Sequence, residues 1–283
     1  MIDDTALPKQ GALPVGVARQ YCGVPGKRAN CQSLVSLTLA QGEVPVPVAL
    51  RLFLPEAWTG DPGRCARAGV PQAEVVARGK GEIALAELDR VLAAGVRFGI
   101  VLADAGYGAS AEFRHGLDAR GQRWAVGIPR NLKVYDVGVQ LVAPTGRKRR
   151  PARSRAAEDV LAGMTWRRVT WRQGTKGALS AQFAVTRVRV GDGPTFGNNR
   201  RLPGDEAWLV GEWRCNGERK YHLSNLPPRT SRRALAAAIK ARWVCEQAHQ
   251  QLKEELGLDH FEGRSWTGLH RHALMTCIAF AYL

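Results

Sequence analysis

The sequence predicts a mixed α/β fold: a sheet flanked by helices and interrupted by a β-rich insert. Three observations lead there. Up to Pro129 the chain reads strand, strand, helix, strand, helix, strand. Residues 144–158, PTGRKRRPARSRAAE, then break that rhythm with a basic, proline-containing loop. Short strand-like pieces follow, and after them a long amphipathic helix.

The elements follow in order. Residues 33–40, SLVSLTLA, alternate and are rich in Leu and Val. Residues 44–54, VPVPVALRLFL, do likewise, with prolines suited to an edge or a strand entrance. The intervening QGE is a turn, so the pair reads as a hairpin. Residues 61–80 are polar, with Gly and Pro, and read as a loop. Residues 82–95, EIALAELDRVLAAG, have helical periodicity and end at Gly95, a candidate cap residue. From Val96 a continuous apolar run of strand length stops at Asp104, before two glycines. That pattern is a buried strand with an acid at its C-terminal tip. Residues 110–121 form a short helix with Ser110 as N-cap, and RWAVGIP (123–129) another strand. TWRRVTW, AQFAVTRVRV, EAWLVGEWR and KYHLSNL give the insert its own small sheet. Residues 230–256 read as one long helix capped by Thr230 or Ser231, and a last apolar helix begins near Trp266.

Of 283 residues, 45% are hydrophobic, so a core can form. The net charge of +16 favours a polyanionic partner, DNA or RNA before an anionic membrane surface. No stretch approaches the length of a spanning helix. The first residues, MIDDTALPKQG, are acidic and short of apolar residues, which excludes a signal peptide and points to the cytoplasm. The six cysteines show no Cys-x-x-Cys pair. They read as free thiols, several buried, and no structural zinc site is expected.

Three acidic positions stand out by setting: the Asp3–Asp4 pair in IDDT, Asp104 at its strand tip, and Glu246 on the long helix. Two-metal phosphoryl chemistry needs carboxylates converging at one rim of a sheet, because Mg²⁺ takes oxygen ligands. Arg242, His249 and Lys253 project near Glu246, with Val244, Ala248, Leu252 and Leu256 on the opposite stripe. Each feature has a plainer reading: a turn, an Asx-turn, a surface ion pair.

At this point the sequence resembles the catalytic domain of the DDE insertion-sequence transposases, the DDE superfamily endonucleases. The closer match is to the group with a β-rich insertion between the second and third acids. The matching stretches include IDDTALPKQG, GVARQYCGVPGKRANCQ, LRLFLPEAW, VLADAGYG, YHLSNLP and RWVCEQAHQQLKEELGLDHFEGRSW. The resemblance implies a ribonuclease-H-like catalytic domain over 1–132 and 229–283, with the insertion over 133–228. It implies Asp4, Asp104 and Glu246 as catalytic residues and metal ligands, with Asp3 competing for the first place. It implies two Mg²⁺ ions, with Mn²⁺ as a substitute. The partners it implies are double-stranded DNA at transposon ends, target DNA and a second copy of the chain in a synaptic homodimer. The reaction would be cleavage of transposon ends and strand transfer, in the cytoplasm of a bacterium at the nucleoid.

The family's third-acid motif is Tyr, two residues, Arg, three residues, Glu, six residues, Lys. Arg242, Glu246 and Lys253 match it, whereas Ile239 stands at the Tyr position. Arg242 and Lys253 would contact DNA phosphate, and His249 reads as a bystander or polar contact. The insert tryptophans Trp166, Trp171, Trp208 and Trp213 read as core of the inserted sheet, or as a stacking platform for a displaced base. The first acid lies so near the start that an upstream helical DNA-binding region is expected, and this chain reads as a truncated copy. An inactive DNA-binding relic and a structure-selective ribonuclease-H-like nuclease are the alternatives.

The basic run Arg147, Lys148, Arg149 and Arg150 would track a DNA backbone. Replacing all four with Gln should flatten the slope of log K against log[salt] by roughly 3–4 units, at about 0.9 per phosphate. Filter binding to duplex DNA over a salt series checks this; an unchanged slope removes the run from the interface.

Overall fold

The computed structural model describes residues 1–22, 26–139, 153–175, 177–196 and 200–283, and the chain divides into two units. Residues Met1–Phe98 with Arg242–Leu283 form the first, and Gly99–Ala241 the second. The expected divisions at 132/133 and 228/229 both fall within the second unit.

The first unit opens with β1 (Ile2–Pro8), β2 (Ala18–Cys22), the long β3 (Lys27–Gln41) and β4 (Val44–Leu52). All pair antiparallel with β3. It meets β2 along residues 27–31, β1 along 31–37 and β4 along 34–41. The β3–β4 hairpin turns at Gly42, whose φ of 60° suits a residue without Cβ. A short helix, α1 (Glu56–Thr59), follows β4, and the expected loop over 61–80 opens with another, α2 (Pro62–Arg67). The Asp61 carboxylate accepts the Arg64 N–H at 2.8 Å, with Pro62 at the first helical position. Helix α3 (Lys80–Ala93) lies where periodicity predicts it and closes at Gly95, φ 84°. Val96 N–H reaches back to Val91 O. The start of the apolar run therefore serves the helix end, and β5 (Val101–Ala103) in the second unit is shorter than expected.

The second unit continues with α4 (Ala105–Gly108), α5 (Ala111–Ala119), β6 (Trp124–Ile128), β7 (Lys133–Tyr135), β8 (Arg155–Ala156) and α6 (Ala157–Ala162). Then come β9 (Arg167–Gly174), β10 (Gly177–Val190), β11 (Thr195–Phe196), β12 (Arg200–Arg201), β13 (Glu206–Trp213), β14 (Arg219–Ser224) and α7 (Arg232–Lys240). Its sheet runs β5-β6-β14-β13-β10-β7-β8, with β9 beside β10. The β5–β6 pair is parallel; the strands from β6 onward pair antiparallel. The core includes Phe113, Leu117, Phe183, Leu209 and Leu223, all fully buried. The predicted strands of the insert are all present, but they continue the β5–β6 sheet through β14 rather than forming a small sheet of their own. Its four tryptophans are half-buried rather than central. Trp166 meets Trp213 edge-on and Trp171 meets Phe183 likewise, with Arg219 over the Trp166 and Trp213 rings.

The chain returns to the first unit as α8 (Trp243–Glu254) and α9 (Trp266–Tyr282). The single helix expected over 230–256 is therefore two. α7 packs on β9 and β10, whereas α8 packs on β4, and no Gly or Pro marks the break. Its cause is tertiary: the two halves bury their apolar faces in different units. The core against α8 and α9 holds Leu7, Leu34, Leu52, Trp58, Leu252 and Leu269. Mixed α/β character is thus as expected. Among the described residues no helix is long and apolar enough to cross a membrane.

Close approach of α4 to β6 needs two glycines. A Cβ on Gly108 would lie 2.0 Å from Gly127 O, and one on Gly127 2.8 Å from Ala105 N. Gly108→Ala should cost about 1–3 kcal/mol by overpacking. Gly99→Ala, with nothing within 4 Å of the added carbon, should be neutral. Urea midpoints of the two variants check this.

Candidate active site

Successive strand residues point to opposite faces, so Asp3 and Asp4 on β1 separate. Asp3 lies opposite Ser36 in the β1–β3 register, and Asp4 opposite Val35. Ser36 Oγ is 2.8 Å from His249 Nε2, so its face is the one that α8 covers. Asp3 shares that face. Arg242 Nη1 donates to Asp3 Oδ2 at 2.5 Å, and Arg242 Nη2 donates to Glu246 Oε1. One guanidinium thus joins two of the sequence-selected acid positions. Asp4 is on the other face, where Lys80 Nζ donates to its Oδ2 at 2.6 Å and Ser33 Oγ at 3.1 Å.

The polar stripe of α8 is not uniformly solvated. The Glu246 side chain is 58% exposed and that of Arg242 24%, while His249 is buried. Burial pushes the His249 imidazole down to about 4, with the Lys253 charge acting the same way, so the ring is neutral at pH 7. Burial also lowers the Lys253 ammonium, against the pull of Asp259, Cys22 and Asp3. Cys245, one turn before His249, is fully buried and donates to Thr38 Oγ1 at 3.4 Å. Burial raises its thiol, with the Asp3 charge adding to the effect. Ile239, at the motif's Tyr position, is buried on α7.

Asp104 belongs to the second unit. It follows β5 and caps α4, its Oδ1 accepting Gly106 N–H at 2.9 Å and Tyr107 N–H at 3.3 Å. The expected Asx-type geometry and the strand-tip position are therefore both present. Arg147, Lys148, Arg149 and Arg150 lie outside the described residues.

Sequence reasoning missed the groups that seat α8. Lys9, buried at the end of β1, donates to Asp259 O at 2.9 Å and to Phe261 O, and lies 3.9 Å from Glu262. A lysine following a strand carries no signal of this; only the helical turn after α8 supplies the acceptors. Lys9→Met should lower unfolding stability by about 2–4 kcal/mol, because two carbonyls lose a charged donor. Guanidinium unfolding checks it, and a loss below 0.5 kcal/mol, about the scatter of surface substitutions, would remove Lys9 from that role.

The model of the DDE superfamily endonuclease family matches residues 1–178. No curated protein matches the chain. Among solved structures the chain is similar to the piggyBac transposase in its synaptic complex with hairpin DNA, at 12% identity and a TM-score of 0.44. That likeness covers 99% of this chain and 45% of the transposase, so the chain spans less than half of that protein. With more than half of its length matched by the family model, the chain belongs to the DDE superfamily endonucleases.

Proposed function

We propose that the protein is a DDE transposase catalytic domain that cleaves transposon-end DNA and transfers the freed 3′ end into target DNA. The observation that carries this reading is the Arg242 bridge between Asp3 and Glu246, residues from opposite ends of the chain. Two carboxylates sharing one cation are an oxygen-donor pair that suits a hard divalent ion, which fits the general metal dependence of this superfamily.

We assign Asp3 rather than Asp4 as the first carboxylate, Asp104 as the second and Glu246 as the third. Asp3 shares a face with Glu246, while Asp4 is neutralised by Lys80 on the other. Mg²⁺, or Mn²⁺ in its place, would be held by these carboxylates and would supply charge neutralisation at the scissile phosphate and a more acidic attacking water. Arg242 holds Asp3 and Glu246 in place and offers its planar fork to a phosphate oxygen when the pair is otherwise engaged. Lys253 adds a point charge near the same strand, and the basic run 147–150 adds backbone contacts. Synapsis of two DNA ends would bring two copies of the chain together.

Asp104→Asn and Asp3→Asn should each reduce Mg²⁺-dependent nicking of plasmid DNA on the order of a thousandfold, with gel-shift affinity within about threefold of the parent. Asp4→Asn should retain nicking within roughly tenfold, since it loses an ion pair rather than a metal ligand. Undiminished nicking by Asp104→Asn sinks the reading. Greater damage from Asp4→Asn than from Asp3→Asn reverses the first assignment.

A further inference from the structure

Beside Asp3 of the carboxylate pair lie two donors that hard-metal chemistry does not use, Cys245 and His249. Asp3, Cys245 and His249 each place one ligand atom within 4.8 Å of the other two. Cys245 Sγ and His249 Nε2, four residues apart on one face of α8, are 3.8 Å apart. Ligand atoms on a tetrahedral zinc ion, with Zn–S about 2.3 Å and Zn–N about 2.0 Å, lie about 3.5 Å from one another. The Cys245–His249 spacing therefore needs adjustment of a few tenths of an ångström, and the Asp3 carboxylate starts within 4.8 Å of both.

We infer that Asp3, Cys245 and His249 form a site for one thiophilic divalent ion, of which Zn²⁺ is the type, distinct in donor chemistry from the magnesium set. One sulfur, one nitrogen and one oxygen select zinc or cobalt over Mg²⁺, which takes oxygen donors. Binding displaces the Cys245 thiol proton to solvent, and thiolate and carboxylate together balance the 2+ charge beside Arg242.

The surroundings remain satisfied after such binding. The Ser36 hydroxyl, which loses His249 Nε2, has the Asp3 carbonyl at 3.1 Å as its acceptor. The Thr38 hydroxyl, now accepting from the thiol, can turn to donate to the thiolate. The absence of a Cys-x-x-Cys pair hides the site from sequence inspection, because its third ligand comes from β1.

Asp3 is shared with the proposed nuclease site. Resting on that reading, a zinc ion held by the triad withdraws the first carboxylate from magnesium and holds the enzyme inactive.

Titration of the full chain with Co²⁺ tests the site apart from activity. The expected result is one ion per chain, with a thiolate-to-cobalt charge-transfer band in the near ultraviolet. Cys245→Ser should lose that band, and His249→Gln should weaken binding about 100-fold or more. Cys215→Ser, which removes the exposed thiol, should keep it. No band in the parent chain, or a band that survives Cys245→Ser, overturns the site; His249→Gln decides the matter if Cys245→Ser does not fold.

The second measurement is nicking in Mg²⁺ with and without one equivalent of Zn²⁺. Zinc should slow the parent at least tenfold, and the ratio of the two rates should return to about one in Cys245→Ser. A cobalt band with nicking indifferent to zinc overturns the inhibitory role. A cobalt band with no nicking at all overturns the nuclease reading and the inhibitory role with it, and leaves the metal site standing.

Discussion

Helix α8 sits on the β1–β3 face through buried polar contacts, and the carboxylate pair of the first unit depends on that seating. Apolar burial of Val244, Ala248 and Leu252 drives the helix onto the sheet, but such burial is non-directional. The register comes from His249 on Ser36, Cys245 on Thr38 and the Lys9 clasp on the turn beyond the helix. A turn of the helix by one residue, about 100°, would leave the buried His249 without its partner. An unsatisfied buried polar group costs about 1–3 kcal/mol, enough to select one orientation. That orientation puts Arg242 between Asp3 and Glu246.

The second unit positions its acid by different means. Asp104 is held locally by two N–H donors of the turn that follows it, and glycines let that turn approach β6. Farther along, Glu212 on β13 is 1% exposed and bound by Lys240 at 2.7 Å and Arg214 at 3.2 Å. Burial alone would raise its carboxyl, yet Lys240 and then Arg214 hold it below the ordinary range. This pair ties the end of α7 to the sheet, at the last residues before the chain leaves the unit. Removal of both cations would strand a buried charge, which makes the Lys240 contact a structural anchor of α7 rather than a surface pair.

The same alternation of strand side chains that builds a core also decides chemistry at β1. Adjacent aspartates one residue apart have opposite fates: one is neutralised by Lys80 at the start of α3, the other faces the helix that bears Glu246. In the insert, pairing of tryptophans with each other and with arginine reconciles half-exposure with order. Trp166 closes over Gly211, where a Cβ would fall 2.6 Å from the ring.

By itself the sequence determined the elements whose signals are local. The β3–β4 hairpin, α3 with its Gly95 end, the Ser110 cap of α5 and the strands of the insert follow from periodicity and turn chemistry, which act over a few residues. Asp104, Arg242, Glu246 and Lys253 were picked out as candidates through resemblance to short family motifs, which are likewise local patterns. Tertiary structure alone decided what depends on contacts between distant segments. It divided the 230–256 helical pattern between two units, chose Asp3 over Asp4 for the face of α8, and brought Cys245 and His249 beside β1. Propensity differs little between such alternatives, often by less than 1 kcal/mol per residue, whereas burial and the pairing of buried polar groups differ by several, and these exist only once the chain has closed on itself.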